Sequence, residues 1–254
     1  AEEQCRRLGE EGYREVVLTG IEISSWGAER RDGTGLIDLV EAVCRALPEG
    51  TRVRLGSLEP RTITEEFCRR AAALPNLCPH FHLSMQSGCD SVLRRMNRKY
   101  DTARYYESVR LLREYFDRPG ITTDLIVGFP GETEEEFQST LAFVEQCAFS
   151  AMHIFPYSRR TGTPAAKMPD QVPNAVKEDR AHRAGALARR LEEAYLDSWV
   201  GETLPVLFEE EKDGLWRGHA PNYVEVFAQG EDLHNVERMV QILRRQGTGL
   251  IGQV

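Results

Sequence analysis

Five short apolar or alternating runs begin near residues 15, 52, 80, 121 and 151, and a helix-forming stretch follows each. The first is Glu15-Val16-Val17-Leu18-Thr19-Gly20, closed by a turn signal. The others run from Arg52 to Ser57, His80 to Gln86, Ile121 to Phe129 and Ala151 to Tyr157. Gly35 to Leu47 reads as a helix, because Leu36, Leu39, Val40, Val43 and Leu47 recur at helical spacing. Thr64 to Leu74, Thr102 to Phe116, Thr133 to about Cys147 and Asn174 to Val200 read the same way, and Thr133 with Glu136 forms a capping box. Residues 1–11 read as the tail of another helix. Strands separated by whole helices pair in parallel, so the class is α/β with a parallel sheet.

Such units build either an open doubly wound sheet or a (β/α) barrel. Strands of an open parallel sheet are covered on both faces and read as continuous apolar runs. Here His80, His82, Ser84 and Gln86 share one strand face, Thr122, Asp124 and Ile126 another, and His153, Phe155 and Tyr157 a third. Polar inner faces favour a partial barrel wide enough to hold a ligand, with its chemistry at the strand C-termini. The chain starts in a helix and without Met, so a fragment missing its first strand, with five βα units left, is expected.

After Gly201 the pattern changes to short strands: Leu204 to Phe208, Leu215 to Ala220, Tyr223 to Phe227, Arg238 to Leu243 and Gly249 to Val254. These predict a small antiparallel β-barrel, OB-like in size. Residues 1–200 and 201–254 are therefore expected to form two domains. Acidic residues outnumber basic ones in the second, so charge alone does not nominate it as an RNA binder.

The net charge of −8 argues against a surface that grips nucleic acid everywhere. A local basic cluster stands out at Arg94, Arg95, Arg98 and Lys99. The six cysteines form no CxxC pair, which points to reduced, buried thiols and a cytoplasmic protein. No apolar run approaches the roughly 18 residues a membrane helix needs.

Six stretches, in order, carry a resemblance. They are residues 17–21 (VLTGI), 54–60 (RLGSLEP), 78–89 (CPHFHLSMQSGC), 94–100 (RRMNRKY), 123–133 (TDLIVGFPGET) and 153–165 (HIFPYSRRTGTPA). Together they resemble the radical-SAM methylthiotransferases, with residues 201–254 similar to that family's TRAM domain. The Cys78-Pro79-His80-Phe81-His82 strand and the Phe155-Pro156-Tyr157-Ser158-Arg159-Arg160 turn look most like the branch acting on threonylcarbamoyl-adenosine beside the tRNA anticodon.

The resemblance implies reductive cleavage of S-adenosylmethionine by a 4Fe–4S cluster, hydrogen abstraction by the deoxyadenosyl radical, and methylthio transfer to carbon 2 of the adenine. It implies tRNA and a flavodoxin- or ferredoxin-like reductant as partners, and two 4Fe–4S clusters in the full-length protein. The family's CxxxCxxC loop does not occur here, so this chain alone is expected to be inactive and to hold no metal. For the cofactor, the resemblance assigns Thr19, Gly20, Ser57, Glu59, Gln86 and Asp124, with Phe155 and Tyr157 as an adenine-stacking wall. For tRNA phosphates or a substrate carboxylate it offers Arg98, Arg159 and Arg160. Catalytic residues proper are left unassigned.

Other readings stay open. Isopentenyl-adenosine tRNA or a ribosomal protein are the substrates of neighbouring branches. His80, His82, Asp124 and His153 have the ligand types of a zinc-dependent barrel hydrolase. A non-catalytic RNA-binding fragment is the third. Gly128-Phe129-Pro130-Gly131 lacks the Walker Lys and is not a phosphate loop.

Overall fold

The computed structural model describes residues 1–30 and 32–254. Helix α1 (Glu2–Glu10) leads into β1 (Glu15–Leu18), α2 (Leu36–Ala46), β2 (Arg52–Leu55), α3 (Glu65–Ala72) and β3 (His80–His82). Then come α4 (Asp90–Arg95), α5 (Thr102–Tyr115), β4 (Gly120–Val127), α6 (Glu134–Cys147), β5 (Ala151–Pro156) and α7 (Asn174–Asp197). The Thr133–Glu136 capping box forms as expected and fixes the start of α6.

Every pairing among β1 to β5 is parallel: β1 with β2, and β3 with β4 with β5. Among the described residues the two sheets are joined by isolated bridges, Val53 to Leu77 and Leu58 to Leu83. The result is an open arc whose first strand, β1, has no second neighbour among the described residues. β3 is shorter than its sequence suggests. Beyond His82 the backbone stays lodged between β2 and β4 by isolated bonds, Ser84 N to Leu58 O at 3.3 Å and Gln86 N to Asp124 O at 2.9 Å. It ends where Gln86 takes a left-handed φ of 68°. Apolar side chains on the outer strand faces, among them Val53, Phe81, Leu83, Ile121 and Leu125, pack with Val40, Phe67, Tyr105 and Phe143 of the helices into one core.

Strands β6 (Thr203–Lys212), β7 (Leu215–His219), β8 (Glu225–Gln229), β9 (Val236–Gln246) and β10 (Gly249–Gln253) close into a second barrel, in the order β10-β8-β7-β6-β9. Four seams are antiparallel, as expected. The fifth, β10 on β8, is parallel. A ring with an odd number of strands cannot alternate direction all the way round, so one seam has to be. This barrel has its own core, which includes Leu196 and Trp199 from the end of α7 and the turn after it.

The small barrel sits under the strand N-termini of the large one. Arg52 and Arg54, at the start of β2, donate to the carbonyls of His219, Pro221 and Ala220. Glu15 on β1 binds both guanidinium groups, at 2.6 and 2.7 Å. Tyr223 lies between the rings of His80 and His219, with centroids 4.7 and 5.0 Å away, and Arg54 sits over its face. Gly120 opens β4 where a Cβ would come within 2.2 Å of the Asn222 carbonyl, so only glycine admits that loop. The floor of the large barrel is thus closed, and its open rim lies at the strand C-termini.

Candidate active site

Parallel strands deliver their C-terminal ends to one side, and the chemistry-bearing residues of this chain gather there and on the wall below. β3 and β4 build that wall. Thr122 Oγ lies 3.1 Å from His80 Nε2 and 3.0 Å from His82 Nδ1, and His82 Nε2 is 3.4 Å from the Asp124 carboxylate. The Thr122 hydroxyl has one proton, so it donates to at most one of the two rings. His80 Nδ1 is buried without a partner. Burial, with the Arg54 charge second, pushes His80 down to about 3, so it is neutral. The ring of His153 lies 6.3 Å from that of His82. These groups satisfy one another rather than converging on a point, and among the described residues no three His, Cys, Asp or Glu side chains form a metal site. The hydrolase reading loses its centre.

The rim residues fall into adjacent sectors. Thr19 and Gly20 follow β1 and are exposed. Gly56 lets β2 pass close to Thr19, since a Cβ there would be 3.1 Å from Thr19 Oγ. Ser57 beside it is exposed. The Glu59 carboxylate is occupied by Arg61 at 2.8 Å, in an exposed pair. Gln86 and Asp124 are half-buried on neighbouring strands, and Phe155 on β5 is 50% exposed. Tyr157 differs from Phe155: its hydroxyl is buried without a partner, and its ring packs on Phe129 and under the Lys177 ammonium. The two aromatics do not make one wall.

The expected cations are dispersed. Arg98 and Arg160 are exposed, and Arg159 is exposed with its Nε donating to the Ala166 carbonyl. Arg95, part of the basic cluster, is taken up by Glu136, whose carboxyl is held down to about 2, chiefly by that bond. Lys177 and Tyr223 border the site, and sequence reasoning missed both. Neither lies in a motif, and only the fold brings them to the rim and the floor.

All six cysteines are free, and all but Cys89 are buried. Burial pushes the thiols of Cys44 and Cys78 up to about 11 and those of Cys68 and Cys147 up to about 12.

The family model described as the Radical SAM superfamily matches residues 1–144. The chain belongs to the radical SAM superfamily. Its curated relatives include the threonylcarbamoyladenosine tRNA methylthiotransferase MtaB of Bacillus subtilis, 38% identical over 95% of this chain and 54% of that protein. The tRNA-2-methylthio-N(6)-dimethylallyladenosine synthase of Acetivibrio thermocellus is also 38% identical, over 82% of this chain and 43% of the relative. The chain therefore spans about half the length of the curated relatives it matches. Among solved structures, coproporphyrinogen III oxidase (HemN) of Escherichia coli aligns with a TM-score of 0.57 at 16% identity. That alignment covers 76% of this chain and 44% of the enzyme, a likeness of fold.

Membership of the radical SAM superfamily implies S-adenosylmethionine and a 4Fe–4S cluster. The rim fits the first: hydroxyls, an amide, a carboxylate and an exposed aromatic ring suit a nucleoside carrying an amino-acid tail. The thiols here do not fit the second, because they are dispersed along the chain and all but that of Cys89 are buried. No helix among the described residues is long and apolar enough to cross a membrane.

Proposed function

We propose that the complete protein is a tRNA methylthiotransferase that adds a methylthio group to carbon 2 of threonylcarbamoyl-adenosine beside the anticodon. The observation that carries this reading is the extent of the match. The threonylcarbamoyladenosine enzymes align with 95% and 96% of the chain at 38% and 35% identity, and the dimethylallyladenosine synthases with 82% and 91% at 38% and 39%. The difference lies within the same family, so the dimethylallyl branch is the second reading.

S-adenosylmethionine, when bound, supplies the radical that abstracts hydrogen. This chain's residues bind and orient. Thr19, Gly20 and Ser57 offer the methionine end hydroxyl and backbone partners. Gln86, fixed by its left-handed backbone, and Asp124, anchored through His82, suit the ribose and a base edge. Phe155 offers a stacking face. Arg98, Arg159 and Arg160 are the contacts proposed for tRNA. We place two 4Fe–4S clusters in the complete protein, on thiolates outside these 254 residues, served by a flavodoxin- or ferredoxin-like reductant in the cytoplasm. Two separate cores support a division near residue 200, with the second domain TRAM-like. The 254-residue chain alone is then inactive.

The test is anaerobic reconstitution of the full-length protein with iron, sulfide and S-adenosylmethionine, followed by mass spectrometry of tRNA nucleosides. Methylthio-threonylcarbamoyl-adenosine is expected. Product from isopentenylated tRNA only would overturn the substrate assignment.

A further inference from the structure

Lys177 is in a costly position. It occupies the first turn of α7, whose N-cap is Pro173 and carries no side-chain cap. A cation there opposes the helix dipole. Lys177 is only 8% exposed, and among the described residues it has no ion-pair or hydrogen-bond partner. Its stem runs across Gly128 at the end of β4, so closely that a Cβ at Gly128 would lie 2.4 Å from Lys177 Cγ. Its ammonium sits 5.3 Å from the centre of the Tyr157 ring.

The neighbourhood repeats the imbalance. The Tyr157 hydroxyl is buried without a partner, while Arg180 Nε makes no hydrogen bond but lies 3.6 Å from the Glu134 carboxylate. The nearby carboxylate, Glu132, is already engaged by Arg180 Nη1 at 2.8 Å and by the Gly128 amide at 2.9 Å. The Tyr157 hydroxyl is thus a buried donor without an acceptor, and the Lys177 ammonium beside it has no carboxylate partner among the described residues. A buried set of this kind is expensive unless something anionic completes it. Gly128 and Tyr157 follow the last residues of β4 and β5, which places the set on the rim beside Phe155.

We propose that Lys177 and Tyr157 form an oxyanion site at the barrel mouth, which holds a carboxylate or phosphate on the bound substrate. Resting on the function proposed above, the carboxylate is that of the threonyl group of the target nucleoside. A phosphate is the other source of the same chemistry. The site would separate a threonylcarbamoyl group from an uncharged isopentenyl group, because only the first carries a charge to neutralise Lys177.

The experiment uses the 254-residue chain and reads binding by calorimetry and thermal unfolding. The probes are N6-threonylcarbamoyladenosine, N6-isopentenyladenosine and inorganic phosphate, on wild type, Lys177→Met, Lys177→Arg and Tyr157→Phe. The threonylcarbamoyl nucleoside should bind at least about tenfold more weakly to Lys177→Met, the worth of one charge-assisted hydrogen bond. Lys177→Arg should keep most of the affinity, and isopentenyladenosine should bind all variants alike. Without ligand, Lys177→Met should unfold at a higher temperature than wild type, a gain that purely structural packing of Lys177 would not give. Lys177-dependent binding of phosphate, but not of the nucleoside, would keep the oxyanion site and count against the threonylcarbamoyl assignment. Nucleoside binding that Lys177→Met leaves unchanged would overturn the site and leave the function standing. Failure of both anions to bind wild type would overturn the site.

Discussion

Replacing Glu15 by Gln removes the carboxylate that neutralises two buried arginines at the floor of the large barrel. The side chains of Arg52 and Arg54 are 9% and 4% exposed, and that of Glu15 19%. Glu15 accepts from Arg52 Nε at 2.6 Å and from Arg54 Nε and Nη2 at 2.7 and 2.9 Å. After the substitution an amide NH2 faces a guanidinium. Arg52 keeps a second carboxylate, Glu237, at 3.3 Å. Arg54 keeps the carbonyls of Ala220 and Pro221 and the face of Tyr223, but no carboxylate among the described residues. One buried charge is thus stranded rather than two, which puts the cost near the lower end of the range for a broken buried pair, about 3 kcal/mol. For a chain of this size that is roughly 6–12 °C in Tm. The assay is thermal and urea unfolding of the 254-residue chain at pH 7, with Glu15→Gln/Arg54→Met as a second variant. Removing the stranded charge should recover part of the loss. The pH dependence has a definite sign. Burial pushes the Glu15 carboxyl up, but Arg54 and then Arg52 outweigh it and hold the group below its ordinary value. Its stabilisation is therefore complete above about pH 4.5 and is lost as pH falls through the lower folded value. A loss under about 1 kcal/mol at pH 7, or no recovery in the double variant, would refute the account of the floor.

Other consequences follow from the wall and rim. His80 stays neutral down to about pH 3, while an unfolded histidine takes up a proton near 6.5, so the chain loses stability as pH falls between the two. His80→Phe should remove that component, about 2 kcal/mol between pH 7 and 5, in parallel urea titrations; equal slopes for the two proteins would contradict the neutral assignment. Gly128→Ala adds a Cβ at φ 71° and against the Lys177 stem, and should cost about 1–3 kcal/mol by chemical unfolding. In the full-length protein, Gln86→Ala should lower S-adenosylmethionine affinity about tenfold by equilibrium dialysis without shifting Tm by more than a few degrees; unchanged affinity would remove Gln86 from the cofactor site.

Much of the architecture was legible because the signals are local. The hydrophobic period of α2 and the Thr133–Glu136 box concern residues a few positions apart. The alternation of His80, His82 and Asp124 against apolar neighbours told that these strands have one polar face. What was not legible depends on partners distant in sequence. Arg95 and Arg98 look alike in a basic run, yet Glu136 claims the first and leaves the second exposed. Glu59 and Tyr157 sit in motif positions, but Arg61 occupies one and Phe129 with Lys177 encloses the other.

By itself the chain determined its βα order, the parallel pairing, the second barrel and the polar inner faces, since chain connectivity and side-chain period impose these. Only the tertiary structure decided where the second barrel docks, which titratable groups neutralise one another, and that Lys177 is left without a counter-charge. Those outcomes rest on distances between residues far apart in sequence, set by packing, and no periodicity along the chain encodes them.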